Sequence, residues 1–481
     1  MKFYSALKSN AMQLSPKQQQ RGIQENFLSV PEHMLAIQQE AFVPQIGVDI
    51  DEQGKHGSFM TIFSTWNCMA GTALTVIPYA YQQSGLLLGI ILTFVAFVFS
   101  FYTCLLIMKT SGNDVDYTDT LHKQFGKPGY IIGMICFIIN FSVPIILFAQ
   151  LLSQDLYPVI LFFIELAGGP EQKISHDIDF SEFSYSYTCI IIFMIVFAMV
   201  APRNTSIYNK INSFGVVFIM IIIVFTCGVG IYSLSNTSYT LDKDKYQEYI
   251  DDRTAGDDYS YVSLIKLFSK PYGPLMGILG GGYYFHNISL SVCRNSRNPE
   301  NNVRDVFLGY LATFITYVLC GTMGYFGFTG SHFATKIFEE KDLEGSIAQN
   351  SLDMFATTSV LATIIRFCAF AQLLTVNALL ISLERSQILL LATGTQDAGS
   401  TKKNLLMNFA ILILPYILAI VYPNVADIAG IMGALASLLV VYLLPVFTYL
   451  KFKHTAIYNP ELATMVQRAT VSKITVSPTH S

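Results

Sequence analysis

The chain has 481 residues, 52% hydrophobic and only 13% charged, with 36 Phe and 27 Tyr. A water-soluble domain holds about 25% charged residues, so the composition argues for a polytopic membrane protein. The formal net charge of -4, with no long basic run, argues against nucleic acid as a partner.

Residues 1–58 are polar and lack a signal-peptide pattern. They are read as a cytosolic tail, either disordered or docking a protein partner. Span 1, about 59–81, is hydrophobic enough to cross a bilayer, yet it holds Ser64, Thr65, Asn67, Gly71, Thr72 and Pro78. Lipid leaves such groups without partners, which predicts a discontinuous helix opened near Met69–Thr72. Span 2, about 86–108, is nearly all apolar. The link Lys109–Gly129 offers a short interfacial helix at Tyr117–Phe125, ended by Gly126 and Pro128. Span 3, about 130–162, is longer than one crossing needs at about 1.5 Å per residue, so it tilts or projects.

Spans 4 (about 185–201) and 5 (about 212–233) close the first half, and an acidic loop with the sequon Asn236-Thr237-Ser238 follows. Span 6, about 272–293, carries Gly277, Gly280, Gly281 and Gly282 before Tyr283-Tyr284-Phe285-His286-Asn287. Span 7 (about 305–328) ends in Gly321, Gly324 and Gly327. Span 8 (about 355–383) contains Arg366, Gln372, Thr375 and Asn377. Spans 9 (about 405–423) and 10 (about 426–450) precede a polar tail, Lys451–Ser481. The links after the even-numbered spans carry most of the Lys and Arg, so the positive-inside rule places both tails in the cytosol. The eight cysteines lie in or beside apolar segments with no CxxC pair, as small buried hydrophobes would.

The expected fold is an all-α polytopic membrane protein of ten spans. Repeat 1 is about 59–233, repeat 2 about 272–450, and the whole transporter domain 59–450. Interrupted helices 1 and 6 fall in matching positions, the sequence signature of a five-plus-five inverted-repeat (LeuT-like) core with its site at the midplane. Asn67 offers a side-chain carbonyl to sodium or to a substrate, or an interhelical hydrogen bond. Thr375 offers a hydroxyl at a comparable depth, and the two would complete an all-oxygen site for a hard cation. Thr72 stands at the N-terminal end of the second half-helix, where free N–H groups suit a carboxylate; the alternative is close helix packing at Gly71-Thr72. His286 is either a pH-sensitive group or a neutral hydrogen-bonding histidine. Arg366 either snorkels or pairs with a loop acid. Tyr283 is a candidate path-lining ring. No nucleophilic constellation, Walker glycine signature or catalytic residue is seen, so the chain is read as no enzyme.

Taken as a set, F-S-T-W-N-C-M-A-G-T-A-L-T-V-I-P-Y in span 1, F-H-N at Phe285–Asn287, E-N-N-V-R-D at Glu300–Asp305 and R-F-C-A-F-A-Q-L-L-T-V at Arg366–Val376 resemble the amino acid/auxin permease superfamily. Within it the chain looks like the solute carrier 38 group of sodium-coupled amino acid transporters, most of all the lysosomal member 9 type. The resemblance implies secondary active transport of amino acids by alternating access, coupled to sodium or protons, with no further cofactor. It assigns sodium to Asn67 and Thr375, and the substrate to Met69, Ala70, Gly71, Thr72 and Thr75, with Tyr283 and His286 nearby. It also implies a lysosomal or vacuolar membrane. The chain departs from the group in lacking a proline after Thr375-Val376-Asn377, the paired luminal cysteines and an apolar eleventh helix. Two other readings compete with transport: a transport-poor amino acid sensor or scaffold, and a structural subunit of a larger membrane assembly.

Overall fold

A computed structural model describes residues 57–71, 73–112, 114, 117–170, 174–202, 215–242, 261–294, 296–329, 347–394 and 399–458. Both expected tails, apart from a few residues at their inner edges, and the acidic loop 243–260 lie outside this set. The described chain is built of helices and connecting links, with one small antiparallel pair of strands, β1 (Thr240–Asp242) and β2 (Tyr261–Ser263), Leu241 opposite Val262. Seven helices are long and apolar enough to cross a membrane among the described residues. These are α3 (Leu86–Thr110), α4 (Tyr117–Leu166), α6 (Gly215–Asn236), α9 (Asn302–Thr329), α10 (Val360–Thr393), α11 (Thr401–Val421) and the run from α12 (Val425–Ser437) through a π-helical turn at Leu438–Leu443 into α13 (Leu444–Tyr458). A shorter apolar helix, α5, spans Tyr185–Val200.

Two apolar segments are each split in two. The first forms α1 (Ser58–Ala70) and α2 (Ile77–Ser84); the second forms α7 (Gly273–Gly282) and α8 (Ser289–Arg294). The first opening therefore begins at Gly71, two residues later than expected, with Met69 and Ala70 still helical. Pro78 sits at the N-terminus of α2, where a missing N–H costs no hydrogen bond. Gly126 leaves helical geometry within α4 (φ 69°, ψ -158°), setting off Tyr117–Phe125 as expected.

The halves pack crosswise, α1 against α8 and α2 against α7, while α9 runs along both α1 and α2. Glycines permit these approaches. A side chain at Gly321 would strike the Tyr81 ring, one at Gly324 the Pro78 ring, and one at Gly277 the backbone of Gly430 on α12. Small residues at such crossings let dispersion act over a dry, close contact. Trp66 ties α1 to α9 by donating Nε1–H to Thr316 Oγ1 at 3.0 Å.

One end of the bundle is closed by links, termed here the cap. Leu86 and Leu87, whose N–H groups have no partner within α3, donate to the carbonyls of Lys266 and Leu267 at 2.8 and 3.0 Å. Segment 347–359 crosses the same end: Ile347 N–H donates to Gln82 Oε1 at 2.7 Å and Gln349 Oε1 accepts from Ala426 N–H at 2.9 Å.

Candidate functional site at the two helix breaks

The breaks lie side by side. The hydroxyl of Tyr317, on α9, is bonded to the Met69 carbonyl in the last turn of α1 and lies 3.2 Å from the Gly282 carbonyl that ends α7. Both carbonyls belong to helix C-termini, where the last acceptors have no intrahelical donor. One buried phenol therefore fixes the two openings at the same level. The ring stands edge-on to Tyr283, centroids 5.3 Å apart, and Tyr283 stacks on Tyr310 at 6.2 Å.

Around the first break, Met69 and Ala70 are buried, Gly71 is half-buried and Thr75 is buried. Thr72 lies outside the described residues. Thr75 gives its carbonyl to Ser351 N–H at 2.9 Å, so the cap reaches the opening directly. Opposite Gly71 stands Gln372 of α10: a Cβ added at Gly71 would lie 3.3 Å from its Nε2. Gln372 is 5% exposed and its Oε1 is buried without a partner. Asn67 and Thr375 are both buried, four residues before Gly71 and three after Gln372. Thr375 Oγ1 is 3.0 Å from the Gln372 carbonyl of its own helix, which leaves its lone pairs for a cation. Gly71 and Gln372 bring the break of α1 and the middle of α10 together near these two residues.

Around the second break, Tyr283 and His286 are fully buried. Tyr283 is part of the aromatic stack with Tyr310 and Tyr317. His286 Nε2 pairs with Thr103 Oγ1 of α3 at 2.9 Å and its ring stacks on Tyr284.

Arg366 does not snorkel. It is fully buried and donates from Nη2 to the carbonyls of Leu352 and Phe355, both at 2.8 Å. Asp155 of α4 accepts from Asn350 Nδ2 at 3.0 Å, and His176 Nε2 lies 3.8 Å from Asp353. Thr357 donates to Glu165 at 2.6 Å. These bonds clamp 347–359 over the site. Burial pushes the Asp353 carboxyl up, against the opposing pull of His176 and Arg366. Tyr317 and the cap contacts escape sequence reasoning. The tyrosine is one of 27, and its partners are main-chain atoms at distant positions.

The family model of the transmembrane amino acid transporter protein matches residues 54–476, nearly the whole chain and both breaks. The chain belongs to this family. It is 25% identical over 89% of its length to the sodium-coupled neutral amino acid transporter 9 homolog of Caenorhabditis elegans, covering 74% of that protein. It is 23% identical over 87% of its length to the neutral amino acid transporter 9 of Xenopus tropicalis, covering 79% of it. The sodium-coupled neutral amino acid symporter 2 of Danio rerio is 21% identical over 82% of the chain and 75% of its own length. Membership accords with the absence of enzymatic signatures and with a membrane-spanning helical body.

Proposed function

We propose that this family member is a secondary active carrier of neutral amino acids, coupled to sodium and working by alternating access. The observation that carries the reading is the bridge from Tyr317 to Met69 and Gly282, which sets two helix openings side by side in a buried zone. Such openings offer carbonyls at the C-terminal ends of α1 and α7 and N–H groups at the start of α2. The amino acid carboxylate binds N–H groups from Gly71 through Thr75, its ammonium binds the carbonyls, and sodium binds Asn67 and Thr375. Crosswise packing of the split segments, together with seven long spans and α5, supports a ten-span, five-plus-five inverted repeat. The names of the relatives support neutral substrates and sodium. The Lys and Arg at the end away from the cap support cytosolic termini, and a lysosomal or vacuolar membrane is part of the same proposal.

Uptake of labelled neutral amino acids into proteoliposomes, with and without a sodium gradient, tests this for the unmodified protein, Asn67→Ala and Thr375→Ala. Gradient-driven uptake that both substitutions weaken is expected. No gradient-dependent uptake of any amino acid would sink the carrier reading, and unchanged sodium dependence in both variants would remove the ion site.

A further inference from the structure

The end of α10 remote from the cap carries an acid with no evident counter-charge. Glu384 is 4% exposed, and no salt bridge among the described residues includes it. Its Oε1 contacts Ser142 Oγ on α4, whereas Oε2 is buried without a partner. One turn further along α10, Gln387 is also 4% exposed, and its Oε1 is likewise buried without a partner. Side chains three residues apart on a helix are neighbours.

Counting hydrogens identifies what is missing. A serine hydroxyl carries one hydrogen. Ser142 Oγ lies 3.0 Å from the Ile138 carbonyl as well as against Glu384 Oε1, so one hydrogen faces two acceptors if Glu384 is ionised. The Glu384 Oε2 and Gln387 Oε1 atoms are two further buried acceptors, each without a donor. A proton on Glu384 lessens the deficit by one: carried on Oε1 it serves the Ser142 oxygen and frees the serine hydrogen for the Ile138 carbonyl. Burying the neutral acid is also far less costly than burying a lone carboxylate.

Among the described residues, no neighbouring side chain is paired with Glu384 as a counter-charge. Helices α5 and α6 contain no Asp, Glu, Lys, Arg or His. On α11, Lys402 and Lys403 are exposed in the first turn. On α4, Asp119, His122, Lys123 and Lys127 lie about four turns or more before Ser142, with Lys123 paired to Asp114. Asp155 and Glu165 of α4 lie toward the cap, bonded to Asn350 and Thr357. On α10 itself, Arg366 binds the cap carbonyls, while Arg385 donates to the Val200 carbonyl at 3.2 Å and to Asn408 Oδ1 at 2.8 Å.

We propose that Glu384, with Ser142 and Gln387, is a proton-binding site through which this carrier couples amino acid movement to a proton as well as to sodium. The coupling rests on the carrier reading; the proton site itself rests on the hydrogen count. When α4 and α10 part at this end, the acid O–H bond breaks, its electron pair stays on the carboxylate and the proton passes to water. Closure with a new proton reverses the step. Intramembrane acids of this kind mark proton relays.

The test uses full-length protein in proteoliposomes with equal sodium on both sides, comparing the native chain with Glu384→Gln, which keeps the shape of the neutral acid. With one coupled proton, a gradient of one pH unit sustains about tenfold accumulation of the amino acid. Native protein is expected to reach it, and Glu384→Gln to lose it while retaining exchange of internal for external substrate. Infrared difference spectra give a readout independent of transport. A component of the protonated-carboxyl band at neutral pH should be present in native protein, lost in Glu384→Gln and shifted in Ser142→Ala. Equal accumulation by native and Glu384→Gln, or a protonated-carboxyl band that Glu384→Gln leaves unchanged, would overturn the proposal. If native protein shows the Glu384-dependent band but no exchange, the proton site stands and the carrier reading fails.

Discussion

The Tyr317 hydroxyl bonds the Met69 carbonyl across 248 positions of sequence and so holds the open end of α1 against α9. The Gly282 carbonyl is 3.2 Å from the same oxygen. Tyr317→Phe keeps the ring against Tyr283 and deletes only the donor. Leaving a buried carbonyl unsatisfied costs about 1–3 kcal/mol, so a lower melting temperature in detergent is expected. Uptake should fall further than stability alone requires, because both breaks lose their common anchor. A Tyr317→Phe protein with native melting and native uptake would remove the bridge from the account.

The cap should tighten in acid. Burial raises the Asp353 carboxyl above its unfolded value, so the folded protein holds its proton to higher pH. The stabilising contribution is then fully present below the ordinary carboxylate range and is lost as pH rises through the raised value. Amide exchange in 347–359 should quicken as pH rises, after correction for the intrinsic rate. Asp353→Asn, which mimics the neutral acid, should flatten that dependence, and an unchanged slope in this variant would assign it elsewhere.

Gly277 meets the Gly430 backbone, and Gly433 meets Gly277 in return. Gly277→Val must push α7 away from α12. Overpacking of this kind costs about 1–3 kcal/mol, so reduced yield and early melting are expected. Gly281 has open space where its side chain would be, and Gly281→Ala serves as the control that should fold normally. Similar losses in both would remove the crossing distance as the cause, since both substitutions raise helix propensity.

Orientation is open to a single-site test. Asn236 is exposed at the C-terminus of α6, on the cap side, and begins an N-x-S sequon. With the cap facing a lumen, expression in a glycosylating host should give a glycan shift that Asn236→Gln abolishes. A cap facing the cytosol would leave both proteins unmodified.

Much of this was legible in the chain itself, for identifiable reasons. Interrupted apolar runs cannot cross lipid as plain helices, so Gly71–Pro78 and Gly280–Asn287 announce openings before any coordinates. The exact residue of opening was not legible: Met69 and Ala70 stay helical because helix ends are settled by tertiary partners, here Tyr317 and Ser351. Position near a span end leaves Arg366 either snorkelling or pairing with a loop acid; the structure buries it against the loop, on the Leu352 and Phe355 carbonyls and within electrostatic reach of Asp353. Glu384 stands just past the expected end of span 8, and the Ser142 hydroxyl it meets belongs to α4, more than two hundred positions away. Pairing across the fold is invisible to local pattern.

Gln372 offers the sharpest test of the pocket. Its Nε2 lies where a Gly71 side chain would reach, and its Oε1 has no partner, so a ligand ammonium has an acceptor there. Gln372→Leu keeps the bulk but removes the acceptor. Hydrogen bonds to a charged group contribute about 1.5–3 kcal/mol, so a loss of roughly tenfold or more in apparent affinity is expected. Gly71→Ala keeps the acceptor but crowds it, and the 3.3 Å approach requires Gln372 to shift by only a few tenths of an ångström. It should therefore weaken binding less than Gln372→Leu. Direct binding of labelled substrate to purified protein checks the order. If Gly71→Ala is the more harmful change, the backbone of the break governs recognition and the Gln372 side chain does not.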